Sequence, residues 1–346
     1  MTILLPLHRF ARTVLLSVSA VMAAGGAARA QLAAGPGSDP YFIPTVGTVH
    51  ERLPRVILRN MIQDRTGAIW FASFGGPFRY DGAGFTNMMA EVGLPHTRIF
   101  AVHEARNGDL WFGSITGGAT RYDGERFTRW TRREGLASDD VHWIVEDRDG
   151  AVWLGTSGGV SRFDGEAFRN YTTADGLPHD SVYVVLQDRN GTLWFGTQGG
   201  VCSFDGETFT DLGARVQQEF VNIRAIVEDR SGNLWFGGEA GAFRYDGEQV
   251  THFTAANGLL HDFVGSMLVD RAGNVWFGHP DGREGGASRF DGETFAHFTT
   301  KEGLTSTNVY CLLEDRDGGI WFGSVNAGAC RFDGETFVDY SAQKPR

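Results

Sequence analysis

Between residues 181 and 210 apolar and polar positions alternate in the two-residue rhythm of β-strands, interrupted by three turns. Ser181–Gln187 is rich in β-branched and aromatic residues and runs into Asp-Arg-Asn-Gly. Thr192–Thr197 sets Leu193 and Phe195 on one face and Trp194 on the other, and stops at Gly199-Gly200. Val201–Phe204 follows and leads into Asp205-Gly206, a strong hairpin signal because glycine accepts the positive φ of a tight turn. Glu207–Thr210 then predicts a fourth strand.

The rest of the chain repeats this unit. Its tryptophan returns at Trp70, Trp111, Trp153, Trp194, Trp235, Trp276 and Trp321, with spacings of 41, 42, 41, 41, 41 and 45 residues. The next residue is Phe in every case but Leu154, and an Asp-Gly pair recurs from Asp81 to Asp333. A period near 40 with four strands per unit predicts an all-β fold, a seven-bladed β-propeller with four antiparallel strands per blade. The propeller is expected over 53–346, starting near Pro54. Residues 31–52 read as a linker, with Thr45–His50 as an extra edge strand covering the seam between first and seventh blades.

Residues 1–30 have a different pattern. His8, Arg9 and Arg12 precede the apolar run Val14–Ala24, which is too short for an ordinary span, and Ala28-Arg29-Ala30 resembles a cleavage site. A cleaved signal peptide and a periplasmic or secreted bacterial protein are expected. Its loss removes three arginines and no acid, taking the formal charge from −11 to −14. So acidic a protein disfavours nucleic acid as a partner. The three cysteines, Cys202, Cys311 and Cys330, are an odd set placed too far apart for a structural disulfide.

Two sets of loops follow from the repeat. The Asp-Arg-Asp-Gly turns and Asp-Gly hairpins barely vary, whereas the connections between units and the loops after Trp-Phe-Gly do, including an insertion in His279–Gly286. Variable loops on a rigid scaffold are the expected binding face. The acid of the constant turn is expected to pair with Arg79, Arg121, Arg162, Arg244, Arg289 or Arg331 of its own unit. Asp-x-Asp-Gly at 147–150 lacks the further oxygens of a calcium loop. His96, His179 and His261 recur in alternate units, turned by roughly 103° from one another, and read as solvated loop histidines instead of one zinc site. No metal or other cofactor is expected.

One column varies where packing would keep it uniform. Near the start of each first strand stand Arg59, Phe100, His142, Tyr183, Arg224, Gly265 and Tyr310, each preceded by an apolar residue. Arginines for carboxylate or phosphate beside rings for stacking are what a pocket for a small polar or sugar-like ligand uses. The plainer alternative is that these side chains fill gaps between blades.

The motif Gly176-Leu177, Gln187-Asp188, Gly191, Leu193-Trp194-Phe195-Gly196-Thr197, Gly199-Gly200 and Phe204-Asp205-Gly206 resembles the two-component regulator propeller repeat, and the resemblance covers about 53–340. It implies a periplasmic sensor part or a stand-alone exported propeller, here without its own kinase, with a separate membrane histidine kinase as a partner. The fifth unit departs from the pattern at Asp211–Glu219, and the second has Ala105 in place of Asp. Three functions remain open. The first is a monomeric sensor binding a small ligand or protein on its variable face. The second is a metal-dependent enzyme similar to streptogramin lyases, with His142 and Glu146 as its candidate residues, and the third is a structural interaction module.

Overall fold

The computed structural model describes residues 49–89, 98–325 and 327–341. The expected signal peptide, and residues 45–48 of the expected edge strand, lie outside the described residues. Seven antiparallel sheets follow one another, each drawn from one contiguous unit. In the third, Val141–Glu146, Val152–Thr156, Gly159–Phe163 and Phe168–Tyr171 pair in that order. Each first strand touches the first strand of the next blade, and the seventh touches the first, so these strands line the axis of a closed ring. The protein is a seven-bladed β-propeller with four antiparallel strands per blade. The one α-helix among the described residues, Leu212–Val216, falls in the fifth unit's departure from the repeat.

Strand alternation explains how the blades cohere. Because Trp and Phe are adjacent in the second strand, they face opposite neighbours, and the indole of one blade meets the phenyl of the next. Ring centroids are 5.9 Å apart for Trp70 and Phe112, 5.7 Å for Trp153 and Phe195, and 5.9 Å for Trp321 and Phe71, the pair that closes the ring. Leu154 takes the phenyl's place against Trp111. All seven indoles are buried, none above 6 % exposed. Close approach of blades also accounts for the glycine that follows the phenyl, or Leu154, in every unit but the first, where Ala72 stands. A Cβ on Gly196 would lie 2.6 Å from Val184 Cγ1 and 2.8 Å from Ile223 Cγ2 of the next blade.

The buried acid of the constant turn serves the indole of its own blade. Trp194 Nε1 donates to Asp188 Oδ2 (2.9 Å), while Asp188 Oδ1 accepts from the amides of Asn190 and Thr192. The same bond joins Trp70 to Asp64, Trp153 to Asp147, Trp235 to Asp229, Trp276 to Asp270 and Trp321 to Asp315. This corrects the expected ion pairs. Only Arg331 reaches its turn acid, at 2.6 Å. With the carboxylates taken by indole and amide donors, Arg162, Arg244 and Arg289 lie over Trp153, Trp235 and Trp276 at 5.6–5.9 Å. Arg121, whose unit has Ala105, pairs with Asp109 at 3.6 Å, and Arg79 with Asp81 at 3.7 Å.

The arginine that follows the acid crosses to the next blade. Arg106 donates from its amide to Glu146 Oε2 (2.6 Å) and from its guanidinium to the carbonyls of Asp147 and Arg148. Arg65, Arg148, Arg189 and Arg271 repeat this clasp, and Arg316 carries it from blade seven to Gln63 and Asp64 of blade one. Between blades five and six Arg230 faces Val269 where the others meet Glu or Gln, and makes no such clasp. At the terminal seam Val49–His50 extends the outer edge of blade one against Phe85 and Thr86. Three residues on, Leu53 N donates to Tyr340 O of blade seven (2.8 Å). The edge strand thus belongs to blade one, and the residues after it cross the seam.

Candidate functional site

A recurring irregularity builds the central site. In five first strands the register slips one residue after the start, leaving Arg59, Phe100, His142, Tyr183 and Tyr310 unmatched across the ladder. A bulge of this kind frees one residue from pairing and re-aims its side chain. In blades five and six the strand begins two residues later, at Ala225 and Ser266, and Arg224 and Gly265 hold the equivalent place just before it. All seven line one cavity of about 150 Å3 on the ring axis. They sit at the end of the first strand opposite the arginine clasps, towards the variable loops.

The six side chains of this column, Gly265 having none, form a belt of rings and guanidiniums in contact, the rings tilted against one another. The Arg59 guanidinium lies between Phe100 (4.4 Å) and Tyr310 (4.7 Å). His142 follows, 5.9 Å from Phe100 and 5.4 Å from Tyr183, and Arg224 covers the Tyr183 ring at 4.4 Å. Outward from Phe100, Phe74 lies 5.4 Å from its ring and Arg98 lies over Phe74 at 5.7 Å. Sequence reasoning missed those two. The signal for Phe74 was an aromatic immediately after the second strand of unit one.

No Asp or Glu stands among the described lining residues. Burial lowers the Arg59 pKa from its ordinary value, Tyr310 opposes that shift, and the Arg224 charge adds to it. The Arg224 Nε is buried without a hydrogen-bond partner. Burial also lowers the His142 pKa, so the ring is neutral at pH 7. Its Nδ1–H donates to the Val182 carbonyl (3.2 Å), which leaves Nε2 to accept from the Ser157 hydroxyl (3.3 Å). Two like charges held on rings, with no carboxylate among the described lining residues, make the well attractive to an anion.

Other candidate residues are not brought together. Glu146 is at the far end of the strand from His142, held by Arg106, and does not line the cavity. The His–Glu pair that a lyase-like metal site needs is therefore not assembled from them, and a lining with two guanidiniums fits a cation poorly. Both carboxylate oxygens of Asp147 are taken by donors of its own blade. His179 Nδ1 and His261 Nδ1 accept from the Ser181 and Phe263 amides, and His96 lies outside the described residues. Cys202, Cys311 and Cys330 are free and buried, and burial pushes the Cys311 thiol up to about 12. A chain that the sequence did not disclose runs through blade six from the buried His279 to the exposed His297. His279 Nδ1 donates to Phe263 O, Ser288 Oγ donates to His279 Nε2 (2.9 Å), and His297 Nδ1 donates to Ser288 Oγ (3.1 Å).

Residues 93–116, 135–158, 176–199, 218–240 and 303–326 match the family model for the two-component regulator propeller. The chain thus carries two-component regulator propeller repeats in these five stretches. These repeats fold here much as in the extracellular domain of a B. thetaiotaomicron protein assigned as a hybrid two-component system. That similarity has a TM-score of 0.72 and 20% identity, over 84% of this chain and 42% of the other. The propeller thus spans under half the length of that relative. It is also similar to a catalytically inactive virginiamycin B lyase from Staphylococcus aureus with quinupristin (TM-score 0.64, 14% identity, 82% and 98% covered). YCF48 bound to a D1 peptide is a third (TM-score 0.60, 12% identity, 83% and 97% covered). At these identities the likeness concerns the fold. No curated protein matches the sequence.

Proposed function

We propose that this two-component regulator propeller is an exported sensor domain. Its axial well binds a small anionic molecule, sugar-like or otherwise polar, and a histidine kinase reads its occupancy. One observation carries the reading: Arg59 and Arg224 are stacked on aromatic rings in a cavity whose described lining holds no carboxylate. Because the whole chain carries a net charge of −11, two cations with no acidic partner among the described lining residues are a local reversal of sign that selects for anions. The basic and apolar start of the sequence supports export, as does the extracellular position of the similar B. thetaiotaomicron domain.

The test is thermal melting with glucuronate and with glucose at matched concentrations. A ligand at a hundred times its Kd stabilises the native state by about 2.7 kcal/mol. Glucuronate should raise the melting temperature, glucose should not, and Arg224→Ala and Tyr183→Ala should each abolish the rise. Equal stabilisation by glucose, or a rise that survives Arg224→Ala, would remove the anion well from consideration.

A further inference from the structure

The belt is open at one place. Among the described residues Arg59 has a ring on each face, whereas Arg224 has one only on the Tyr183 side, and Tyr310 stacks only on Arg59. Between Arg224 and Tyr310 stands blade six, whose belt residue is Gly265. The gap is enforced by packing, since a Cβ at Gly265 would lie 2.6 Å from Pro280 Cγ. Pro280 is buried beside the strand and is not among the residues lining the cavity.

Distances fix what the gap accepts. Neighbouring members of the belt are 4.4–5.9 Å apart. Two steps around a seven-fold ring span about 1.8 times one step, so Arg224 and Tyr310 face each other across roughly 9 Å, twice the usual stacking distance. A flat ring placed midway would meet a guanidinium on one face and a phenol on the other. That is the sandwich Arg59 already makes in reverse, with a cation between two rings. An acid group in the plane of such a ring would reach into the axial space that Arg59 also lines, with the Arg224 charge over the ring's face.

We infer that the Gly265 gap is a slot for an aromatic or heteroaromatic ring bearing a carboxylate or phosphate, and that the ligand supplies the seventh member of the belt. This rests on the anion-binding reading above and narrows it from any small anion to a planar aromatic acid. Tyr310 is then a specificity residue, chosen for its free face, and Arg224 contributes both charge and stacking.

Calorimetric titration of the full chain with 4-hydroxybenzoate, cyclohexanecarboxylate and glucuronate tests it. The aromatic acid should bind at least tenfold more tightly than its saturated counterpart of equal charge. Tyr310→Leu should bring that ratio close to one, and Tyr310→Phe should preserve it. If Tyr310→Leu fails to fold, proton NMR of 4-hydroxybenzoate with the wild-type chain decides, because a ring held against Tyr310 shows upfield-shifted signals. Equal affinities for the two ring acids, or no upfield shift, would overturn the slot. Glucuronate binding that depends on Arg224 would in that case leave the anion well standing, and failure of all three acids to bind would overturn both.

Discussion

Blade two lacks the acid that locks the indole in the other six, and restoring it should stabilise the protein. In blade five Asp229 accepts from Ser231 N, Asn233 N, Asn233 Nδ2 and Trp235 Nε1, all at 2.8–2.9 Å. Blade two has Ala105 and Asp109 at the positions of Asp229 and Asn233, and the Trp111 indole makes no such bond. The double variant Ala105→Asp with Asp109→Asn copies blade five. A buried hydrogen bond to a charged group contributes about 1.5–3 kcal/mol, and desolvating the new carboxylate cancels part of it. A net gain of about 1–2 kcal/mol is expected, raising the melting temperature by about 2–6 °C. Ala105→Asp alone should gain less, because Asp109 would then face a second carboxylate.

The gain has a definite pH signature. Burial pushes Asp229 and Asp270 up, but the indole and amide donors outweigh it and their carboxyl pKa values lie below the ordinary one. A carboxyl whose pKa is depressed by folding stabilises above its unfolded pKa, near 4, and loses that contribution as pH falls through the folded value. Urea unfolding of the double variant and wild type at pH 7 and pH 3 should therefore show the difference at neutral pH and its decline in acid. A destabilised variant at pH 7, or a gain unchanged at pH 3, would refute the account of the indole lock.

Two further outcomes follow from the packing. Phe71→Ala removes a fully buried ring that meets Trp321 across the closing seam and should cost about 3–5 kcal/mol in urea unfolding; a loss under 1 kcal/mol would show that the aromatic contact does not hold the seam. His279 is held neutral by burial, with its pKa pushed down to about 4. The unfolded chain takes up that proton near 6.5, so stability should rise with pH between 4 and 6.5, and His279→Ser should flatten that slope as measured by melting temperature.

Much of this architecture can be read from strand periodicity. The Trp-Phe pair and Asp-Gly turn mark the second strand and the last hairpin of every unit, and their recurrence determines both blade number and closure. The variable column from Arg59 to Tyr310 was also legible, because core packing keeps Leu58, Ile99 and Val141 apolar while their successors differ. Why that column faces the axis was not legible. A bulge is a mismatch between two strands, and neither strand shows it alone. The partners of the turn acid were misassigned for a related reason. Arg162 and Trp153 are both donors near Asp147, and only the fold shows that the indole takes the carboxylate while the guanidinium stacks on the indole's face. The clasps from Arg65 to Arg316 were visible as a uniform column of arginines, but their targets lie about forty residues away in the next unit.

The unclasped junction beside Arg230 gives the ring an uneven mechanical character. The first and last blades meet at the terminal seam, yet that joint is stitched by backbone, guanidinium and aromatic contacts together. A hoop fastened in this way parts at its plainest joint, not where its strip happens to begin. Here that joint lies between blades five and six, at the end of the first strand opposite Gly265, so the ring is least fastened on the face turned away from the mouth of the well.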